Sequence, residues 1–271
     1  MVVTTYPVQR AVFKSLTLIL CLAAGGCTGN ATAALPSTLP QQHLKPKILR
    51  VGVAESAPPL IFKQGDQIVG IEADMARELA GELGRELEFV SIWWPNLTFE
   101  LRKRHIDIIM AGMSLTPERA REVAFAQPYL HIGQMAMIRS VDRSRMATAD
   151  TIRMRGKSVG VEENTTGEIY ARTHLLLTEV RTYPTLDAAA GALLQGKIDA
   201  VIHDSPSIQW LVHQHHDGAL VAVPGLLTDE HLAWAVRRDN TALLEAVNGV
   251  LARWKATGHL DEIIHRWLTD E

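Results

Sequence analysis

Ile48-Leu49-Arg50-Val51-Gly52-Val53, followed by Asp74 to Leu83, Leu87-Glu88-Phe89-Val90, Asn96 to Arg104 and Ile106-Asp107-Ile108-Ile109-Met110, is the stretch that decides the fold. Short β-rich runs alternate here with segments of helical period. In 74–83 the apolar Met75, Leu79 and Leu83 recur at i, i+4 and i+8, and Gly84 is placed to stop a helix. Strand, helix, strand, helix, strand in that order predicts βαβ units on a largely parallel sheet.

The rhythm repeats downstream. Lys157 to Val161 reads as a strand, Thr166 to Leu177 as a helix and Val180 to Tyr183 as a strand. Leu186, Ala189, Ala190, Leu193 and Leu194 mark one face of the clearest helix in the chain, with Gly196 beyond its end and Ile198 to Ile202 as the next buried strand. Leu232 to Val236 is a further strand, Leu243 to Trp254 a helix ended by Gly258, and Leu260 to Trp267 a last short helix with Ile263, Ile264 and Trp267 inward.

Outward from this core, the N-terminus carries Arg10 and Lys14 and then an apolar run from Leu16 to Ala24, too short to span a bilayer. It reads as a signal peptide. Ala23-Ala24-Gly25-Gly26-Cys27 offers small residues to a peptidase and a thiol to a lipid, so residues 1–27 are expected to be a lipoprotein signal with Cys27 as the lipidation site; cleavage after Ala33 is the alternative. Residues 28–46 mix Thr, Ala, Pro, Gln and Gly without a hydrophobic period, the composition of a flexible tether. The other cysteine, Cys21, lies in the apolar run, so a processed chain holds no internal disulfide.

About 240 residues follow the signal, enough for two modest α/β lobes. A net charge of −3 with interspersed signs, and no basic stripe with interleaved aromatics, argues against nucleic acid as a partner. His213, His215 and His216 lack the i, i+4 spacing of a helical ligand pair and have no Cys or acidic cluster beside them, so a solvated loop is expected and a metal site is not.

Several ordered motifs remain: Gly70-Ile71-Glu72-Ala73-Asp74, Trp94-Pro95-Asn96-Leu97, Met113-Ser114-Leu115-Thr116-Pro117-Glu118-Arg119, Phe125-Ala126-Gln127-Pro128-Tyr129, Val159-Gly160-Val161 through Thr165-Thr166-Gly167-Glu168, and Gly196-Lys197-Ile198-Asp199-Ala200 through Asp204-Ser205-Pro206. In these residues and in their order the chain resembles the bacterial periplasmic solute-binding proteins of the polar-amino-acid class, family 3, over roughly residues 47–268. The resemblance implies an α/β, two-lobed periplasmic-binding-protein-like type II fold. Lobe 1 would be discontinuous, residues 47–138 plus 230–271, lobe 2 would be 139–229, and two crossings would form the hinge. It also implies an extracytoplasmic protein that captures an amino acid or close analogue and delivers it to the permease subunits of an ABC importer. A monomer without cofactor, meeting the membrane only through a lipid anchor, is expected.

A free amino acid is a zwitterion, so a dry cleft that encloses one needs a fixed cation and a fixed anion. The resemblance assigns the first to Arg119, a planar fork for the α-carboxylate, and the second to Asp204, for the α-amino group. Ser114 lies on the loop leading to Arg119 and is expected to add hydrogen bonds. Thr165 and Thr166 open a helix whose free N–H groups suit a carboxylate, although ordinary N-capping explains the same pair. Trp94 is expected either as a wall for the ligand side chain or as a packing residue, and Trp93 as packing. His203 reads as a hydrogen-bonded neighbour of Asp204, and Glu55 as a solvated loop carboxylate. At Leu60 the chain departs from the family, which commonly has an aromatic there, and this bears on side-chain specificity.

The competing function is an enzyme, because exported prephenate or arogenate dehydratases resemble the same two-lobed fold. Such an enzyme needs a proton donor in the cleft, and Glu168 is the candidate, although an acid in the first turn of a helix is also favoured by the dipole.

Overall fold

A computed structural model describes residues 47–152, 155–215 and 218–268. The segment expected to be a signal peptide, with Cys27, the segment expected to be a tether, 28–46, and His216 lie outside the described residues.

The chain enters on β1 (Ile48–Val53) and makes a small antiparallel meander of β2 (Ser56–Ala57), β3 (Ile61–Gln64) and β4 (Gln67–Val69). It then turns at Gly70 into α1 (Ile71–Glu82). That helix begins three residues before the periodicity predicts. Gly70 has φ 118°, and a side chain there would lie 2.6 Å from the Leu60 carbonyl oxygen, so glycine alone lets the chain turn while the Ile71 and Glu72 amides donate to Pro59 and Leu60. β5 (Glu86–Ser91), α2 (Leu97–Arg102), β6 (Ile108–Ile109), α3 (Pro117–Ala120) and β7 (Ala124–Phe125) complete the first pass.

β8 (Leu130–Ile132) leads into β9 (Gln134–Arg139), α4 (Ala149–Ile152), β10 (Ser158–Glu162), α5 (Thr166–His174), β11 (Glu179–Tyr183), α6 (Leu186–Leu194), β12 (Ala200–Asp204), α7 (Ser205–Gln214) and β13 (Leu220–Ala222). The chain returns through β14 (Glu230–Leu232) and β15 (Ala235–Val236) and ends on α8 (Thr241–Thr257) and α9 (His259–His265).

The strands assemble into two main sheets. Sheet I has the order β5-β1-β6-β15-β7, with β5, β1 and β6 parallel and β15 antiparallel to both neighbours. Sheet II has the order β11-β10-β12-β9-β13, with the first three parallel and β9 antiparallel to β12 and β13. Each main sheet is one lobe of an α/β fold. Between them β8 and β14 pair antiparallel, Leu130 opposite Leu232 and Ile132 opposite Glu230, and these are the two crossings of the hinge.

Lobe 1 has one core, in which Val51 and Val53 of β1 meet Met75 and Leu79 of α1 and Val247, Leu251 and Trp254 of α8. Sheet II is buried on both faces. Val159, Val161, Ala200 and Ile202 pack toward Tyr170 and Ala171 of α5, while Val201 packs toward Leu186 and Leu193 of α6 and Ile208 of α7.

Three expectations are corrected. The outward crossing comes at Gly133 and not after 138, because Met135 and Met137 of β9 face one core of sheet II while Ala136 and Ile138 face the other. Leu232 to Val236 is not one strand: Leu232 pairs with β8 in the hinge and Ala235-Val236 pairs in sheet I. The helix expected to reach Leu177 stops at His174, leaving Leu176 81 % exposed.

Candidate functional site

Both lobes line one cavity. Lobe 1 supplies Ala54, Ser56 and Ala57 after β1, Trp94, and Ala111, Gly112, Ser114 and Arg119 from the segment after β6. Lobe 2 supplies Glu162 at the end of β10, Thr165 and Thr166 at the start of α5, and His203 and Asp204 at the end of β12. About 410 Å³ of space, part of it open to solvent, lies between them. The carboxyl ends of parallel strands are where α/β sheets bind ligands, because the loops there are free to carry chemistry.

Arg119 is held on α3, whose N-cap Thr116 accepts from the Arg119 amide at 3.2 Å. Its guanidinium donates to the Ser114 carbonyl at 3.0 Å and to the Asn164 carbonyl of lobe 2 at 3.3 Å, and lies 5.0 Å over the Trp94 ring. Burial pulls its pKa down, while Asp204 and Glu230 act in the opposite direction. Trp94 also donates to the Asn164 carbonyl, at 3.1 Å. One lobe 2 carbonyl therefore receives two lobe 1 donors. Trp93, expected to pack, is 55 % exposed.

On the lobe 2 side, Thr165 caps α5. Its hydroxyl accepts from the Glu168 amide at 3.2 Å and donates to the Glu162 carbonyl at 2.7 Å, so its proton is committed and it can offer a ligand only a lone pair. The first backbone bond of the helix runs from Ile169 to the Thr165 carbonyl, which leaves the amides before Glu168 at its open, positive end. Thr166 differs from Thr165. Its oxygen accepts from Gln134 Nε2 at 3.1 Å, so its proton is available to another acceptor.

Asp204 occupies the N-cap of α7 but makes no capping bond. Its Oδ1 accepts from Gln134 Nε2 at 2.6 Å, leaving Oδ2 for a ligand. Burial raises the Asp204 pKa and so does the charge of Glu230, while His203, Gln134 and Arg119 oppose them. Ser114 is buried, and its hydroxyl donates to Glu230 Oε2 at 2.7 Å, so it presents only lone pairs to anything else. Arg119, Asp204, Ser114, Thr165, Thr166 and Trp94 thus come together around one space, with donors and acceptors of settled direction.

The family model for the bacterial extracellular solute-binding proteins, family 3, matches residues 49–270. The chain belongs to that family. It is 29 % identical to the L-cystine-binding protein TcyJ of Escherichia coli over 221 residues, covering 81 % of this chain and 82 % of that one. It is 27 % identical to the cyclohexadienyl dehydratase of Pseudomonas aeruginosa over 189 residues, covering 69 % and 70 %. An ancestral arginine-binding protein solved with arginine superposes with a TM-score of 0.77 at 29 % identity, covering 82 % of this chain and 98 % of that one.

Two titratable members of this solute-binding protein's cavity wall, Glu162 and His203, were not singled out from the sequence as site residues. Glu162 is 6 % exposed; its Oε2 accepts from the Leu186 amide at 3.1 Å and pairs with His203 Nε2 at 3.2 Å. The Glu162 partnership and neighbouring carboxylates raise the His203 pKa against the pull of burial. A signal for Glu162 was present, since it ends a strand parallel to and neighbouring the one that Asp204 ends, with Val161 opposite Ile202. A single acid at a strand end looks like any solvated loop residue until the strand order is known.

Glu168, the dehydratase candidate, is not among the residues lining the cavity. Its carboxylate accepts from the Asn164 amide at 2.7 Å and from Arg172 Nε at 2.8 Å, an acid closing the first turn of its own helix. Glu55 accepts from the Ser91 hydroxyl. Leu60 is fully buried in the lobe 1 core and touches Gly112 from behind, so its departure from the family bears on packing and not on the cavity wall. Among the described residues no group of three His, Cys, Asp or Glu side chains is placed to hold a metal ion, and no helix is long and apolar enough to cross a membrane.

Proposed function

We propose that this family 3 protein captures an amino acid or close analogue between its lobes and delivers it, unchanged, to the permease subunits of an ABC importer. The observation that carries this reading is the convergence of Arg119 from lobe 1 and Asp204 from lobe 2 on one cavity. Arg119, the Thr166 hydroxyl and the open end of α5 are donors suited to an α-carboxylate. Asp204 Oδ2 and the Ser114 oxygen are acceptors suited to an α-ammonium. Each lobe alone would leave part of the ligand's charge unpaired, so ligand favours the closed arrangement.

The rest of the wall bears on the side chain. Ala54 and Ala57 are small and apolar, and Glu162 turns a buried carboxylate to the same space. Such a wall favours a ligand tipped with a hydrogen-bond donor and disfavours one tipped with a second carboxylate. Export, a lipid anchor at Cys27 and a monomeric state complete the proposal, supported by the small residues before Cys27 and the tether after it.

Calorimetric titration with the proteinogenic L-amino acids and L-cystine tests the reading. At least one donor-tipped amino acid is expected to bind and L-glutamate and L-aspartate to bind more weakly. Incubation with prephenate or arogenate is the counter-test: phenylpyruvate or phenylalanine formed above the spontaneous rate, and lost in Glu168→Gln, would favour the dehydratase.

A further inference from the structure

We propose that Glu230, on the return strand of the hinge, is the positioning residue that holds the ammonium-binding acceptors of both lobes in register; this rests on the zwitterion reading of the cavity. Glu230 does not line the cavity. It stands in β14 opposite Ile132 of β8, at the crossing between the lobes.

Its two carboxylate oxygens take one hydrogen bond each from opposite directions. Oε2 accepts from the Ser114 hydroxyl of lobe 1 at 2.7 Å, and Oε1 accepts from the Thr228 hydroxyl at 2.6 Å. The Thr228 oxygen accepts from the Gln134 amide at 2.8 Å, and Gln134 Nε2 donates to Asp204 at 2.6 Å and to Thr166 at 3.1 Å. The path Ser114, Glu230, Thr228, Gln134, Asp204 therefore links one lobe's acceptor to the other's, with Gln134 joining it through its backbone amide on the Thr228 side and its side-chain amide on the Asp204 side. The two crossings also press together here, since a side chain added at Gly133 would lie 2.2 Å from the Thr228 carbonyl oxygen.

The direction of the two hydroxyl protons along this path, those of Ser114 and Thr228, depends on Glu230 being a carboxylate. A hydroxyl has one proton, and Ser114 and Thr228 both give theirs to Glu230. Ser114 can then only accept from the cavity, as an ammonium requires. Glutamine at 230 offers one acceptor and one donor group. If its NH₂ faces Ser114, the Ser114 proton turns toward the ammonium. If it faces Thr228, the Thr228 proton loses its acceptor and must turn away, which disturbs the hydroxyl that supports the Gln134 backbone amide. The Glu230 charge also acts on Arg119 and Asp204, so it adds to the negative potential where an ammonium sits.

The test titrates the wild type, Glu230→Gln, Ser114→Ala and the double variant with the tightest binder among the proteinogenic L-amino acids and L-cystine, and with that compound's α-desamino analogue. Glu230→Gln is expected to weaken the amino acid roughly tenfold or more, the loss typical of a charge-assisted contact, and to leave the analogue within about twofold. The double variant is expected to fall short of the product of the single losses, because both act on one contact. If Glu230→Gln does not melt cooperatively, Thr228→Val, which keeps the carboxylate, is expected to show the same selective loss. Equal losses for amino acid and analogue, or none for either, overturn the inference while leaving the binding function standing. No binding of any of these compounds to the wild type overturns the zwitterion reading and this inference with it.

Discussion

Arg119 and Asp204 act at the scale of single charges. Arg119→Lys keeps the charge but loses the fork, so affinity for the captured amino acid is expected to fall by roughly 1.5–3 kcal/mol; calorimetry showing unchanged affinity contradicts the assignment. A second residue makes a pH prediction. Glu72 is fully buried behind the Gly112 amide, and burial raises its pKa from 4.5 to about 7, although Tyr129, Gly112 and Trp234 face it and oppose the shift. A carboxyl with a raised folded pKa keeps its proton while the unfolded chain has released it. Its penalty is therefore absent below the unfolded value, grows as pH rises from 4.5 to about 7, and is complete above. Glu72→Gln is expected to be more stable than the wild type at pH 8, by up to about 3 kcal/mol, and equally stable at pH 4. Urea unfolding at the two pH values checks this, and the same difference at both would contradict it. What was legible at this scale was placement: the motifs singled out Arg119 and Asp204, and both line the one interlobe cavity. Glu162 was not legible as a wall residue, nor Glu230 as the acceptor of Ser114, because an acid acquires its meaning from partners 24 and 116 positions away, Leu186 and Ser114.

At the scale of elements, periodicity located α1, α6 and α8 because each buries an apolar stripe of period 3.6, as Leu243, Val247, Val250, Leu251 and Trp254 do in α8. It failed where tertiary pairing decides. Leu232-Ala233-Trp234-Ala235-Val236 is uniformly apolar and fully buried, so nothing in its pattern marks the change from the hinge ladder to sheet I. The start of α5 is the element on which the two functional readings divide. With Glu168 bound to the Asn164 amide and Arg172, Glu168→Gln is expected to lower stability by about 0.5–1 kcal/mol through a weakened helix start, and to leave ligand affinity within about threefold. Thermal unfolding and calorimetry on the one variant check both parts. A loss of affinity beyond tenfold without loss of stability would place Glu168 at the ligand instead.

At the scale of the whole molecule, two α/β sheets joined by the β8–β14 ladder make a cavity whose cation and anion come from different lobes. Closing on a ligand then stabilises the fold by mass action, by about 2.7 kcal/mol at a free ligand concentration of 100 times Kd. The two-lobed plan was legible because the βαβ rhythm occurs twice and the motifs stand in family order. The place where the chain leaves lobe 1 was not, since β9 differs from a lobe 1 strand only in which strands it pairs with. The central claim is that the two lobes hold an amino acid between Arg119 and Asp204 and release it unaltered. Native mass spectrometry of the freshly purified full-length chain, after incubation with the L-amino acids and L-cystine, tests it most directly. The wild type is predicted to carry one added mass equal to an amino acid, recovered intact on denaturation, and Asp204→Asn treated alike to carry none. A wild type without any such mass, or an Asp204→Asn that retains it in full, would contradict the claim.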